Sequence, residues 1–345
     1  MHRRGSNVYN SLDITLTMKV SVILTAYNEE KYIRKAIESV INQTLEDIEF
    51  IIVNDGSTDA TSYIINEFSD ERIKVISHEN IGPGASRNMA MKMARGEYVA
   101  FIDGDDWFDL NTLDIAYTEA KAKNTDITFF QMINYDDETS RIYENDWFDL
   151  KNFDESFENR VFSPEETEGS IFDLSVGVCQ KIYKNSFLRK IDAEFPEGIF
   201  FEDMPFFFYV YLKSSRISII KKHLYFRRKH AESITHVVDC KFLDTVPAGQ
   251  EMMKRFIKNG WYDTYKFDLL AYKINGPRFA LRDIEEKCKV PLYNLIKKDY
   301  EQIKMTEYYD DFLTYLGPVK KKFFLDILDS DSYDEFLKIS KKNKE

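Results

Sequence analysis

The chain has 345 residues, and its 59 Asp and Glu against 47 Lys and Arg give a formal net charge of −12, a balance that excludes a general nucleic-acid binder, whose footprint is basic. Hydrophobic residues at 43% and charged residues at 31% are ordinary for a folded globular protein and exclude a disordered chain. No apolar run approaches the roughly 20 residues of a membrane span, and Met1-His2-Arg3-Arg4 leads into polar residues instead of the apolar core of an export signal, so a cytoplasmic protein is expected.

From Lys19 to Thr25 the sequence is β-branched and apolar, the composition of a strand buried on both faces of a parallel sheet. Residues 1–17 before it are expected to be a disordered extension. A helix should follow, with Asn28 as its N-cap and Ile33, Ile37, Val40 and Ile41 at helical spacing. The alternation repeats through a strand at Ile48–Asn54, a helix over about Thr58–Phe68, a strand at Ile73–Ser77, a helix over Gly84–Ala94 and a strand at Tyr98–Ile102. This pattern predicts an α/β fold with a doubly wound, mostly parallel sheet. Beyond Leu110 a helix to about Lys123 and a strand at Asp126–Met132 continue it, and 134–168 then turns acidic and aromatic without periodicity, as an insertion near a cleft does. From Lys241 onward apolar residues recur at helical spacings among alternating charges, which predicts a C-terminal helical appendage over 239–345. Cys179, Cys240 and Cys288 lie far apart without metal-ligand spacing and read as structural thiols of a reducing compartment.

In doubly wound sheets ligands bind beyond the carboxyl ends of the strands, and the polar clusters fall there. Tyr27-Asn28-Glu29 follows the first strand, Asp55-Gly56-Ser57-Thr58-Asp59 the second, His78-Glu79-Asn80 the third and Asp103-Gly104-Asp105-Asp106 the fourth. The last is chemically the most specific. Carboxylates around a glycine that permits a tight turn suit a hard cation such as Mg²⁺ or Mn²⁺. An acidic turn closing a buried strand is the competing reading of that cluster in isolation, but four clusters on one sheet edge describe a single cleft.

Four segments, Val20 to Glu30, Val53-Asn54-Asp55-Gly56-Ser57-Thr58-Asp59, Gly82-Pro83-Gly84-Ala85-Ser86-Arg87-Asn88 and Phe101-Ile102-Asp103-Gly104-Asp105-Asp106, together resemble in order and spacing the family 2 glycosyltransferases of GT-A fold. The resemblance spans roughly Lys19 to Thr235 and is tightest before Leu110. It implies a GT-A domain over 18–238, with a donor-binding half at about 18–110 and an acceptor half at about 111–238. The implied reaction is an inverting, metal-dependent transfer of a sugar from a UDP-sugar to a hydroxyl of a glycan or lipid-linked acceptor in surface polysaccharide assembly. Residue by residue, it carries donor contacts to Thr25, Tyr27, Glu29, Asp55, Asn80, Arg87, Asp103 and Arg228, and a Mn²⁺ or Mg²⁺ ion to Asp105 and His230. Acceptor contacts fall to Glu202 and Gln180, and the catalytic base to Asp203.

These residue types suit those roles, and each has a structural alternative. Tyr27 offers a ring to a flat base and Asp55 an acceptor for the uracil imide N–H; the alternatives are a core tyrosine, an Asx-turn at Asp55-Gly56 and, for Arg87, a surface arginine. The resemblance assigns Asp103 to the ribose hydroxyls and Asp105 to an ion expected to neutralise the leaving diphosphate. Asp106 either completes the metal shell or caps the helix opening near Leu110. An inverting displacement needs a carboxylate opposite the leaving group. Phe200-Phe201-Glu202-Asp203-Met204-Pro205 sets two acids in an aromatic run where burial is costly, and Asp203 also reads as an N-cap with Pro205 in the first helical turn. His230 as a ligand requires a neutral imidazole, against a merely solvated side chain, and the planar fork of Arg228 suits phosphate. The lysines of the helical region read as a solvated face or as a peripheral contact with the inner face of the cell membrane. Two further classes compete with sugar transfer. Nucleotidyl transfer lacks its glycine-rich phosphate loop, since Thr25-Ala26-Tyr27-Asn28 stands after the first strand, and a non-catalytic sugar-nucleotide or glycan binder has no use for a carboxylate opposite the diphosphate.

Overall fold

The computed structural model describes residues 18–144, 150–231 and 238–342; the 1–17 extension and the 232–235 end of the basic segment lie outside the described residues. The chain begins as β1 (Val20–Ala26), α1 (Ile33–Ile41), β2 (Ile48–Asp55), α2 (Thr61–Ile65), β3 (Ile73–His78), α3 (Pro83–Met93) and β4 (Tyr98–Asp103). It continues through β5 (Trp107–Phe108), α4 (Thr112–Lys123), β6 (Ile127–Asp136), β7 (Arg141–Tyr143), β8 (Lys181–Lys184), α5 (Asn185–Lys190), α6 (Asp203–Lys213) and β9 (Ile217–Lys229). Six helices close it: α7 (Thr245–Lys258), α8 (Tyr262–Asp283), α9 (Glu286–Lys304), α10 (Tyr309–Tyr315), α11 (Pro318–Leu328) and α12 (Tyr333–Lys342).

The strands form one sheet in the order β3-β2-β1-β4-β8-β6-β9-β5, with β7 paired to β6. The half built from β1 to β4 is parallel, and every residue of β2 is buried, as continuous apolar runs in parallel sheets require. The second half is mixed: β8 runs antiparallel to β4 and β6, while β9 runs parallel to β6 with register shifts around Gln131. Such irregularities bend a strand and re-aim its side chains, and here the bent strand leads to Arg228 and His230. The parallel register sets Thr25 beside Asp103 and Asp55 beside His78, so the polar clusters share one edge.

At the opposite edge a charged ladder crosses three strands. Ser21 Oγ donates to Glu49 Oε1 at 2.6 Å, and Lys74 Nζ pairs with Glu49 Oε2 at 2.6 Å. Burial pushes the Glu49 carboxyl up, but Lys74, Ser21 and the Arg95 N–H more than offset it and hold it below the usual range. The C-terminal helices pack on α6 through aromatic contacts, Phe208 to Tyr272 at 5.7 Å and Phe208 to Phe256 at 6.0 Å, so they share a core with the sheet region.

Several local expectations are corrected. Asn28 does not cap α1, which begins at Ile33 after Tyr32. It adopts φ 58°, and its Oδ1 accepts from the Thr58 N–H at 2.8 Å. The expected helix from Thr58 shrinks to Thr61–Ile65 because the preceding residues lace the two loops together: Glu30 N donates to Asp59 Oδ2 at 3.0 Å and Ala60 N to Glu30 Oε2 at 2.9 Å. The strand expected to stop at Met132 runs on to Asp136 and turns back as β7. Of the three expected thiols only Cys179 remains free and buried. Cys240 and Cys288 form a disulfide, their Cα atoms 5.5 Å apart, because the helical return brings the start of α9 back to the Cys240 turn, a proximity that a separation of 48 residues conceals in sequence.

Candidate active site

The turn after β4 is tight because a Cβ on Gly104 would stand 2.9 Å from Glu29 Cγ and 3.4 Å from Ala26 Cβ. This close approach lays Glu29 against the acidic turn. The carboxylates of the turn then diverge in environment. The Asp103 side chain is 41% exposed and that of Asp105 21%, whereas Asp106 is buried. Asp106 accepts from Tyr225 O–H at 2.6 Å and from the Arg228 N–H at 2.7 Å. It does not cap α4, which begins at Thr112 after Asn111; instead it staples β9 to the acidic turn. Burial, then Asp105 and Asp103, push its carboxyl well above the usual range.

That staple brings the end of β9 to Asp105. Arg228 Nε donates to Asp105 O at 2.9 Å, its Nη1 pairs with Asp137, and its guanidinium lies 4.6 Å over the Tyr32 ring and 4.9 Å over Trp107. His230 Nε2 stands 3.1 Å from Asp105 Oδ2, and its ring packs 4.5 Å from Tyr32. The two residues expected to hold a metal are therefore adjacent. Arg228, expected at a phosphate, is buried and engaged by protein acceptors. Among the described residues no group of three or more His, Cys, Asp or Glu side chains converges as a complete metal cage. A carboxylate oxygen beside an imidazole nitrogen nevertheless fits an ion that takes its other ligands from phosphate and water, as Mg²⁺ commonly does.

On the donor side Tyr27 is 49% exposed at the end of β1, so it is not a core tyrosine. Asp55 is buried and accepts from the Ile81 N–H at 2.8 Å and the Gly82 N–H at 3.0 Å, while Asn80 Nδ2 donates to the Asp55 carbonyl at 3.1 Å. The local side-chain bond of that turn belongs to Asn54, whose Oδ1 accepts from the Ser57 N–H at 3.1 Å. Arg87 is no surface arginine. It is buried in α3, donates to Asp103 Oδ1 at 2.8 Å and pairs through its other arm with Glu202. Burial works against its charge, but Asp103 and Glu202 hold it protonated.

Arg87 thereby joins the acidic turn to the start of α6. Glu202 occupies the N-cap position there and Asp203 is the first helical residue, with no side-chain cap from either; Asp203 is thus not the N-cap. Burial raises the Glu202 carboxyl to about 7, Arg87 opposing and Asp203 adding to the shift. The half-buried Asp203 is likewise raised by burial, against the pull of Arg87 and Lys181. Gln180, expected at the acceptor, is fully buried, and neither atom of its amide has a hydrogen-bond partner in the protein.

No local pattern marks Tyr225 and Asp137, which hold Asp106 and Arg228, since their partners are 119 and 91 residues away. Lys181 opens the short strand Lys-Ile-Tyr-Lys, whose sequence does not distinguish it from Lys184. It is fully buried, donates to Ser175 O at 2.9 Å and to Gly177 O, and lies 4.7 Å over Phe129 and 4.8 Å over Phe207. Burial lowers its ammonium to about 7.

Comparison with known proteins places this geometry. Residues 21–183 match the model of Glycosyl transferase family 2. A relative from Bacillus subtilis, "Putative glycosyltransferase EpsH", is 32% identical over 259 residues, which cover 73% of this chain and 73% of that protein. Poly(ribitol-phosphate) beta-glucosyltransferase of Bacillus spizizenii is 32% identical over 216 residues; the match takes in 61% of this chain but only 32% of that longer protein. The crystal structure of Staphylococcus aureus TarS 1-349 in complex with UDP-GlcNAc superimposes with a TM-score of 0.69 over 95% of this chain and 92% of that one, at 21% identity, a likeness of fold.

Proposed function

Because this chain belongs to glycosyl transferase family 2, we propose that it moves a sugar from a UDP-sugar to a hydroxyl of a cell-envelope glycan or lipid-linked acceptor, with inversion and with Asp203 as the base. The observation that carries the assignment is the chain of ion pairs from the partly exposed Asp103 through the buried Arg87 to the buried Glu202, which ties the donor side of the cleft to the residue next to a half-buried carboxylate. The TarS complex with UDP-GlcNAc supports the donor class, and the poly(ribitol-phosphate) relative supports an envelope acceptor.

In this reading the base lies on the exposed Tyr27 ring and the ribose meets Asp103, at the ends of neighbouring strands. Glu202, held by Arg87, takes acceptor hydroxyls, whereas Gln180 is fully buried and out of their reach. The acceptor oxygen forms the new bond to the anomeric carbon as the bond from that carbon to the UDP oxygen breaks, and the acceptor proton passes to Asp203. A raised carboxyl is the better proton acceptor, since base strength near the working pH favours transfer. Mn²⁺ or Mg²⁺ held by Asp105 and His230 would supply charge neutralisation at the departing diphosphate. Arg228 and Asp106 keep Asp105 and His230 together. Nucleotidyl transfer gives way to the family membership, and a binding module has no use for Asp203.

Two measurements test the proposal. Asp203→Asn should cut turnover by roughly 10² to 10⁴, the span of general base catalysis, while UDP binding persists; unchanged turnover removes Asp203 from the reaction. Melting curves with UDP, UDP-sugars and nucleoside triphosphates, each with and without Mn²⁺, should shift upward for the uridine diphosphates with metal. A response to triphosphates alone would contradict the donor assignment.

A further inference from the structure

The helical region after residue 238 takes no part in the chemistry described, yet its contacts converge on the short segment that ends in Glu202 and Asp203. Asp244 Oδ2 accepts from the Phe200 N–H at 2.9 Å, the Tyr272 hydroxyl donates to Met204 Sδ at 3.2 Å, and Phe242 packs 5.0 Å from Phe201. Arg255 of α7 makes the most telling contact. Its Nη2 donates to Glu194 O at 3.0 Å and its Nη1 to Pro205 O at 3.3 Å, so one guanidinium closes the two ends of the 194–205 loop. The fork is itself held, with Nε on Glu251 Oε1 at 3.0 Å and the guanidinium 5.3 Å over the Tyr209 ring.

The loop needs such closure. Gly198 and Phe201 both adopt left-handed backbone, φ 72° and 63°, and for a bulky residue like phenylalanine that conformation is strained and persists only where surrounding contacts over-determine it. A planar guanidinium with several fixed donors can serve two carbonyls at once, which an ammonium cannot do in the same geometry. Resting on the reading of Asp203 as base, we propose that Arg255 is a positioning residue: by clasping Glu194 O and Pro205 O it fixes the direction in which the first turn of α6 presents Asp203, and this is what the C-terminal helical region contributes to the reaction.

The full chain carries the test. In Arg255→Met, hydrogen exchange across 195–204 should quicken about tenfold, the scale of losing a bond or two, while exchange in β1 to β4 stays unchanged; unaltered exchange in 195–204 would overturn the inference whatever the substrate. Turnover, read as UDP released from UDP-N-acetylglucosamine with Mn²⁺, should fall about tenfold to a hundredfold, since a displacement near 1 Å costs that much, with the KM for donor unchanged and Arg255→Lys recovering part of the loss. In an Asp203→Asn background the same substitution should change nothing further. A full additional loss in that background would show that Arg255 acts elsewhere and would overturn the inference. Wild-type turnover in Arg255→Met with Asp203→Asn inactive would defeat the inference and leave the proposed function standing, whereas wild-type turnover in Asp203→Asn would defeat the base assignment first. Should Arg255→Met lose its fold by circular dichroism, Arg255→Lys, of similar length and charge, carries the same comparisons.

Discussion

Replacing Glu202 by Gln removes a buried titrating group at almost no change in volume, and the burial of that group gives the effect its sign and scale. Burial sets the Glu202 carboxyl at about 7 against an ordinary 4.5, even with Arg87 paired to it. A carboxyl raised in the folded state lends stability that is fully present below its unfolded value and is lost as pH climbs through its folded one. At about 1.4 kcal/mol per pH unit, the gap from 4.5 to 7 amounts to roughly 3 kcal/mol. Glutamine cannot titrate and keeps an oxygen for the Arg87 N–H. The unfolding free energy of wild type relative to Glu202→Gln should therefore decline by roughly 3 kcal/mol between about pH 4 and about pH 8. Urea unfolding of both proteins across that range measures the difference directly, with the other titrating groups cancelling between them. Parallel stability curves would mean that Arg87 cancels the effect of burial, and a wild type that gains on the variant as pH rises would mean that Arg87 holds the carboxyl below its ordinary value; either result would defeat the burial argument.

Two substitutions away from the cleft test the packing. A Cβ on Gly96 would stand 2.7 Å from the Val20 carbonyl carbon and 2.8 Å from Ser21 Oγ, so Gly96→Ala should destabilise by about 3 kcal/mol, the upper range of overpacking costs; a melting temperature within a degree or so of wild type would show that β1 can move aside. Cys240→Ser opens a link across 48 residues, and chain-entropy arguments give a loss of about 2 to 4 kcal/mol. A thiol reductant should lower the melting temperature of wild type and leave that of Cys240→Ser unchanged, and equal responses would refute the contribution of the bond.

The parallel half was legible because β1, β2 and β4 are largely apolar, buried runs that stop at a polar cluster, while the edge strand β3 mixes apolar and polar residues and is read from its place in the alternation. Tyr27, Asp55 and Asp103 consequently stand at the ends of neighbouring strands. What the pattern did not carry was the state of each side chain there. Arg87 looks like any arginine on a helix, and only the arrival of Glu202 from 115 residues away makes it a buried bridge. Asp106 resembled a cap because a helix follows it, yet its partners are on β9. Asn28 resembled a cap for the same reason and instead spends its oxygen on the loop after β2. The cysteine pair failed differently: reading spacing for metal or for secretion says nothing about two helices that return to one another. In each case a long-range partner, which local spacing does not reveal, decided the use of the side chain.

The order of strands also bears on how the molecule assembles. β3, β2 and β1 pair through short stretches of chain, whereas β4 returns to β1 only after β2 and β3 and β6 lies against β9, with Thr128 and Ser218 separated by 90 residues, and closing longer loops slows the search for native pairing. The β3-β2-β1 group can therefore gain protection early while β6 waits for β9, an order that pulsed hydrogen exchange during refolding would reveal or reverse. Since Tyr225 and Arg228 of β9 supply the bonds to Asp106, the acidic turn is formed by the first half of the polypeptide but reaches its working shape only when the last strand docks.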